Sequence, residues 1–321
     1  MSRIAIVGAG AIGCVFGARL AFFTSHEVIF CVRTPFDLIK VNIPSGRDMR
    51  VDMHTTKRKN TEENTQKKSL DEISCPVRCE TDPSKVSSVD WVLLAVKGHQ
   101  VEGASSWLRA LCRSKTTIAV LQNGVEHFER VEPFSFGAKI LPVVVNCPAD
   151  RFSPGVVAQN SHAKLVASDS EEGRDLQDIF AETDLSVELT TDFITETWSK
   201  LCVNVAAGPA TAITSTGRGI VSEPFVSNVC FELTKECAEV ARAEGAKLPS
   251  DFAEKVIERI HEQPPNGTTS MLADKLAGNP LEADAMTGAV IRYAEKYGIS
   301  VPTTKTIHAL LMQINQKHNF V

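Results

Sequence analysis

Up to about residue 191 the apolar residues of this chain gather in short dense runs, and from Asp192 onward they recur at helical spacing. The runs are Ile4–Val7, EVIFCV ending at Val32, DWVLLAV from Asp90, TTIAVL from Thr116 and KILPVVV ending at Asn146. Each is short, rich in β-branched residues and closed by turn residues, as expected of a strand buried on both faces. Between the first two runs, Ala11 to Phe23 carries a helical pattern. Residues 155–168 have strand character, EEGRDLQDIFAET reads as a helix, and VELTTD leads out of this part of the chain. The later spacing predicts helices over 192–207, 222–244, 250–262, 270–277, 281–297 and 303–316. Gly298 suits a C-cap there, with Pro302 just beyond it. No internal repeat is visible.

Strands that alternate with helices build a parallel sheet covered on both sides. The expected fold is therefore α/β: an N-terminal Rossmann-type doubly wound domain over 1–191, followed by an all-helical C-terminal domain over 192–321. The stretch from His54 to Glu72, with TTKRKNTEENTQKK, is polar enough to read as a solvated insertion.

The first strand runs straight into Gly8-x-Gly10-x-x-Gly13 and then a helix. That context suits a dinucleotide. Gly8 permits the turn, Gly10 lets a pyrophosphate approach the backbone, and Gly13 lets the helix pack on the strand. The N–H groups opening the helix, at Ala11 and Ile12, then face the phosphates. Where an NAD enzyme places an acid on the ribose, this chain has Arg33 followed by Thr34. A guanidinium can pair with a 2′-phosphate and offers a ribose hydroxyl no acceptor, so NADP(H) is expected. Lys97 and Asn123 follow two further strands, where open α/β sheets bind their ligands. Asn-Gly at 123–124 is also an ordinary turn sequence.

In the second half, TETWSKLCVNVAAGP places Lys200, Asn204 and Gly208 at i, i+4 and i+8, on one helical face. Leu201, Val205 and Trp198 lie off that face and can pack. Ser270 and Asp274 are one turn apart, with Ser270 able to serve as an N-cap. Glu282 follows Pro280 at the expected start of the next helix, where the dipole alone favours an acid.

The composition narrows the classes. With 321 residues the chain is long enough for about two domains, and 43% hydrophobic with 23% charged residues is ordinary for a globular enzyme. A formal net charge of −5 gives no general attraction to nucleic acid or anionic membrane. The nine cysteines make neither an even disulfide framework nor a zinc pattern and read as reduced thiols of a cytoplasmic protein. No metal site is expected. Ile4–Phe23 is apolar enough to raise a signal peptide or anchor, but Arg19 and four spaced glycines interrupt it.

Together the glycine motif, Arg33, AVKGHQ, LQNG, WSKLCVN, GPATA, SMLAD and LEAD resemble the ketopantoate reductase (2-dehydropantoate 2-reductase) family over nearly the whole chain. The resemblance implies NADPH-dependent reduction of the 2-keto group of ketopantoate to (R)-pantoate, which feeds coenzyme A synthesis. It implies that Lys200 is the proton donor and Glu282 the acid beside the reaction centre, which also touches the cofactor. Lys97 and Asn123 then lie near the nicotinamide, while Asn204 and Ser270 contact substrate hydroxyl and carboxylate groups, with Asp274 grouped beside them. One departure stands out: where the family usually has a second asparagine, this chain has Gly208. That change leaves open a D-2-hydroxyacid dehydrogenase of the same superfamily acting on another branched 2-keto acid. The partner expected is a small-molecule 2-keto acid, with no nucleic acid or membrane, and a homodimer is left open.

Overall fold

The structure is a computed structural model that describes residues 1–44 and 71–317. The chain divides into two compact units: Met1–Gln122 with His127–Thr191, and Asp192 onward together with the short segment Asn123–Glu126.

The first unit runs β1 (Arg3–Val7), α1 (Ala11–Phe23), β2 (Glu27–Cys31), β3 (Leu38–Asn42), β4 (Glu72–Pro76), β5 (Arg78–Glu80) and β6 (Trp91–Leu94). It continues with α2 (Ser105–Leu111), β7 (Thr117–Val120), α3 (His127–Val131), β8 (Lys139–Asn146), β9 (Ala149–Ser153), β10 (Val156–Gln159), β11 (Lys164–Ser168), α4 (Glu171–Ile179) and β12 (Ser186–Thr190). An eight-stranded sheet has the order β12-β11-β8-β7-β6-β1-β2-β5. All its pairings are parallel except β11 with β8. The order steps outward in both directions from β1, as in a doubly wound sheet.

Alternation along each strand feeds two cores. Ile4, Ile6, Leu93, Leu141 and Val143 pack on the face that holds α1. Ala5, Val7, Val92, Leu94, Ile118 and Val120 pack on the other face with Leu108 and Leu111 of α2. This is why β6 and β7 are buried at every position and read as unbroken apolar runs. Arg19, only 1% exposed, is tolerated because its Nε donates to Asp184 Oδ1 at 2.7 Å and Nη1 donates to Val15 O at 3.1 Å.

A smaller sheet, β4-β3-β10-β9, was not foreseen. Ile39, Val41 and Ile73 point inward from β3 and β4 and join the core under α1. The strand-like stretch 155–168 is split between the two sheets as β10 and β11. VELTTD does not simply lead out, since Val187 to Thr190 belong to the edge strand β12. Of the polar insertion, Glu72 opens β4, and residues 54–70 lie outside the described residues.

The second unit contains α5 (Phe193–Thr214), α6 (Pro224–Ala243), α7 (Phe252–His261), α8 (Ser270–Leu276), α9 (Ala289–Tyr297) and α10 (Pro302–Lys317). Helix α5 passes through Gly208-Pro209 to Thr214 instead of stopping at 207. Proline removes one helical hydrogen bond, but tertiary packing holds the helix: Ala206, Ala207, Ala210 and Ala212 are buried. Two contacts from α8 brace its end. The Thr211 and Thr269 hydroxyls lie 2.7 Å apart, and Lys275 Nζ donates to Ala212 O at 2.6 Å. The predicted helix 281–297 is also revised. A π-helical turn at Asp284–Gly288 precedes α9, and Glu282 lies ahead of that turn in no helix.

Candidate active site

In the first unit the glycine motif forms the turn between β1 and α1. Gly8 has φ +100°, and a side chain there would strike Val96. Its N–H donates to Cys31 O at 3.4 Å. The turn therefore abuts the carboxyl ends of β2 and β6, from which Arg33 and Lys97 emerge within two and three residues. A Cβ on Gly13 would lie 2.0 Å from Gly8 O, which forces glycine at that helix–strand contact. A Cβ on Gly10 would meet nothing within 4 Å. Gly10 is the N-cap of α1, makes no side-chain cap, and no acid occupies the first turn. The first N–H groups of a helix lack intrahelical partners, so Ala11 and Ile12 present donors beside open space. These residues fit a dinucleotide pyrophosphate. Arg33 is exposed.

In the second unit α5 carries half-buried Lys200, then Asn204 one turn on, then buried Gly208. Trp198, Leu201 and Val205 are buried in the helical core, so that core fixes which face the lysine shares with the asparagine. The segment Asn123–Glu126 meets this face. Asn204 Nδ2 donates to Asn123 Oδ1 at 3.4 Å, and Asn123 Nδ2 donates to Glu282 Oε2 at 3.1 Å. A carboxylate only accepts, so Glu282 dictates which way the Asn123 amide points. That orientation in turn leaves the Asn123 oxygen for Asn204. Glu282 is only 7% exposed. It is therefore a buried acid held by an amide, not the first-turn acid of a helix.

Ser270 is also revised. It is the exposed first residue of α8, and the N-cap is Thr269, whose hydroxyl accepts from Leu272 N at 3.1 Å. Asp274 is half-buried one turn later. Met271, which follows Ser270 in that helix, supplies the atom nearest to a Cβ on Gly208, at 3.8 Å. The structure thus joins Asn123, Asn204 and Glu282 by hydrogen bonds, and sets α8 beside the Gly208 end of the same helical face.

One part of this arrangement left no trace in the sequence. Arg292 on α9 donates from Nε and Nη2 to the two oxygens of Glu126, both at 2.6 Å. It also donates to Asp284 Oδ1 and to Asp284 O, both at 2.8 Å. Glu126 is 166 positions from Arg292 while Asp284 is 8 away, and nothing in the spacing of charges joins the three.

Comparison with known proteins supplies the family. The family model described as "Ketopantoate reductase PanE/ApbA" matches residues 4–172. The model "Ketopantoate reductase PanE/ApbA C terminal" matches residues 192–315. A 2-dehydropantoate 2-reductase of Caulobacter vibrioides is 33% identical over 97% of this chain and 98% of its own. The crystal structure of a PanE/ApbA family ketopantoate reductase from Ralstonia eutropha JMP134 is 30% identical, covers 99% of each chain and superposes with a TM-score of 0.81. The fold is shared more widely: a D-mandelate dehydrogenase, solved with NADH and anilino(oxo)acetate, has a TM-score of 0.77 at 21% identity, with 99% of each chain covered. The chain belongs to the ketopantoate reductase family.

Proposed function

We propose that this chain is a cytoplasmic NADPH-dependent oxidoreductase that reduces 2-dehydropantoate (ketopantoate) to (R)-pantoate. The observation that carries the proposal is the hydrogen-bonded series Asn204–Asn123–Glu282, one helical turn from Lys200. Support also comes from the names of the relatives and from the fit of the glycine turn to a dinucleotide.

Gly8, Gly10, Ala11, Ile12, Gly13, Arg33 and Lys97 would hold the nucleotide in the first unit, with Arg33 taking the 2′-phosphate. NADPH, when bound, supplies the hydride. As the ketone carbon accepts it, negative charge grows on the carbonyl oxygen. The Lys200 ammonium stabilises that charge and gives up a proton as general acid. Asn123, oriented by Glu282, would contact the substrate and, with the cofactor bound, the nicotinamide. Asn204 and Ser270 donate to substrate oxygens, and Asp274, which only accepts, suits a substrate hydroxyl.

A second reading follows from Gly208. No carboxamide stands there, and the nearest atom to its missing side chain is Met271 Cβ at 3.8 Å. A site that lacks a polar partner discriminates poorly for the group that partner would bind. The alternative is a D-2-hydroxyacid dehydrogenase acting on another branched 2-keto acid.

The test is NADPH oxidation by the purified protein with ketopantoate, a panel of other 2-keto acids, and an NADH control. Turnover of ketopantoate above the panel is expected. Turnover confined to other 2-keto acids would establish the second reading instead. Lys200→Ala is expected to lower kcat about 10²- to 10⁴-fold while NADPH still binds. Retained activity in that variant would remove Lys200 from its role.

A further inference from the structure

The segment Asn123–Glu126 groups with the second unit, although the chain on both sides of it belongs to the first. Four features tie it there. Asn123 bonds Glu282. Gly124, at φ +104°, runs so close to the π-helical turn that a Cβ would lie 2.8 Å from Ala285 O. Val125 packs against the core of the second unit. Glu126 takes the two-pronged contact from Arg292 described above.

An exposed ion pair usually contributes little. This one differs in two respects. The Glu126 side chain is only 11% exposed, and both prongs are short and parallel. Moreover, the same guanidinium grips the first residue of the π-helical turn by its side chain and its carbonyl. Glu282 lies two residues before that turn residue. Arg292 is therefore a bracket whose arms end on the segment bearing Asn123 and on the turn that follows Glu282. π-helical turns recur at functional sites because they shift one stretch of helix backbone out of register.

We propose that Arg292 is a positioning residue, which holds Asn123 and Glu282 at hydrogen-bond distance through Glu126 and Asp284 without touching the reacting atoms. The inference rests on the reading of Asn123 and Glu282 as groups of the reacting site. Small misplacements of such groups lower rates steeply.

The test uses the full chain with whichever 2-keto acid it turns over best. Arg292→Ala is expected to lower kcat/KM roughly 10- to 100-fold, with NADPH affinity retained. Arg292→Lys keeps the charge but loses the fork and should recover only part of the loss. Lys296→Ala serves as control. It breaks another ion pair of the same helix, Lys296–Glu244 at 2.6 Å, and should leave kcat/KM unchanged. In an Asn123→Ala background the pair to be positioned is gone, so adding Arg292→Ala should cost less than about twofold. An equal loss in both backgrounds would overturn the proposal and reduce Arg292 to general support.

A readout independent of turnover is the pair of Asn123 side-chain amide proton resonances, assigned by their absence in Asn123→Ala. They should shift in Arg292→Ala and stay in place in Lys296→Ala. Unmoved resonances in Arg292→Ala would overturn the proposal on their own. A wild-type chain that reduces no 2-keto acid would sink the functional reading above and leave the amide resonances to decide this one.

Discussion

Gly10 and Gly13 belong to one motif, yet different neighbours exclude a side chain at each. At Gly13 the obstacle is the protein itself, Gly8 O at 2.0 Å from a Cβ. At Gly10 a Cβ would meet nothing within 4 Å, which leaves room for the nucleotide proposed above. Gly13→Ala should therefore destabilise the fold and weaken NADPH binding together. Gly10→Ala meets no protein atom and should cost no more than about 1 kcal/mol, the difference between glycine and alanine at an N-cap. It should nonetheless weaken NADPH binding. Thermal melts beside fluorescence titration with NADPH separate the two effects, and equal loss of stability in both variants would refute the distinction. Gly208 calls for a different experiment. Gly208→Asn restores a carboxamide on the Lys200–Asn204 face and is expected to raise kcat/KM for ketopantoate relative to other 2-keto acids. An unchanged ratio would show that this position does not set substrate choice.

Helix termini decide how several elements are fixed. Helix α10 begins at Pro302, where its first N–H groups need partners from outside the helix. Glu236, buried on α6, accepts from Thr303 N at 2.9 Å, Thr304 N at 2.7 Å and the Thr304 hydroxyl at 2.6 Å. A carboxylate at a helix N-terminus also meets the positive end of the dipole. Glu236→Ala strands these donors and should cost about 1–3 kcal/mol in urea unfolding. Glu236→Gln keeps an acceptor and should cost less. Equal stability of wild type and Glu236→Ala would mean that water replaces the carboxylate without penalty. Helix α5 illustrates the opposite case, an element extended beyond its local signal. Gly208-Pro209 marks a break, and the helix continues because buried alanines and the bonds from Thr269 and Lys275 hold it.

At the scale of the whole molecule, a half-buried histidine on α10 links stability to pH. His308 Nδ1 lies 2.9 Å from the Thr287 hydroxyl. Burial lowers its pKa below the ordinary 6.5, with Arg292 pushing the same way and Asp284 and the Ala283 carbonyl opposing. The folded chain thus takes up this proton at lower pH than the unfolded chain. The stability His308 contributes is fully present above 6.5 and is lost as pH falls through the folded value. His308→Gln should flatten that acid limb when unfolding is measured just above and well below 6.5. An unchanged slope would mean that other groups cause the acid loss.

Much of this protein was legible in one dimension. Dense apolar runs located β1, β2, β6, β7 and β8, because buried strands of a parallel sheet have few other compositions open to them. The glycine spacing located the turn at Gly8, and the i, i+4, i+8 spacing put Lys200, Asn204 and Gly208 on one face, since both are local backbone geometry. The smaller sheet was not legible, because β3 and β4 are short, alternate with polar residues and pair across a long polar stretch. Nor could the sequence show that Glu282 stands outside a helix, bonded to Asn123 across 159 positions. It gave no sign of Arg292 joining Glu126 to Asp284. Periodicity reports how a residue relates to its own element, whereas side-chain contacts between distant segments depend on how those elements pack, and only the tertiary structure decides that.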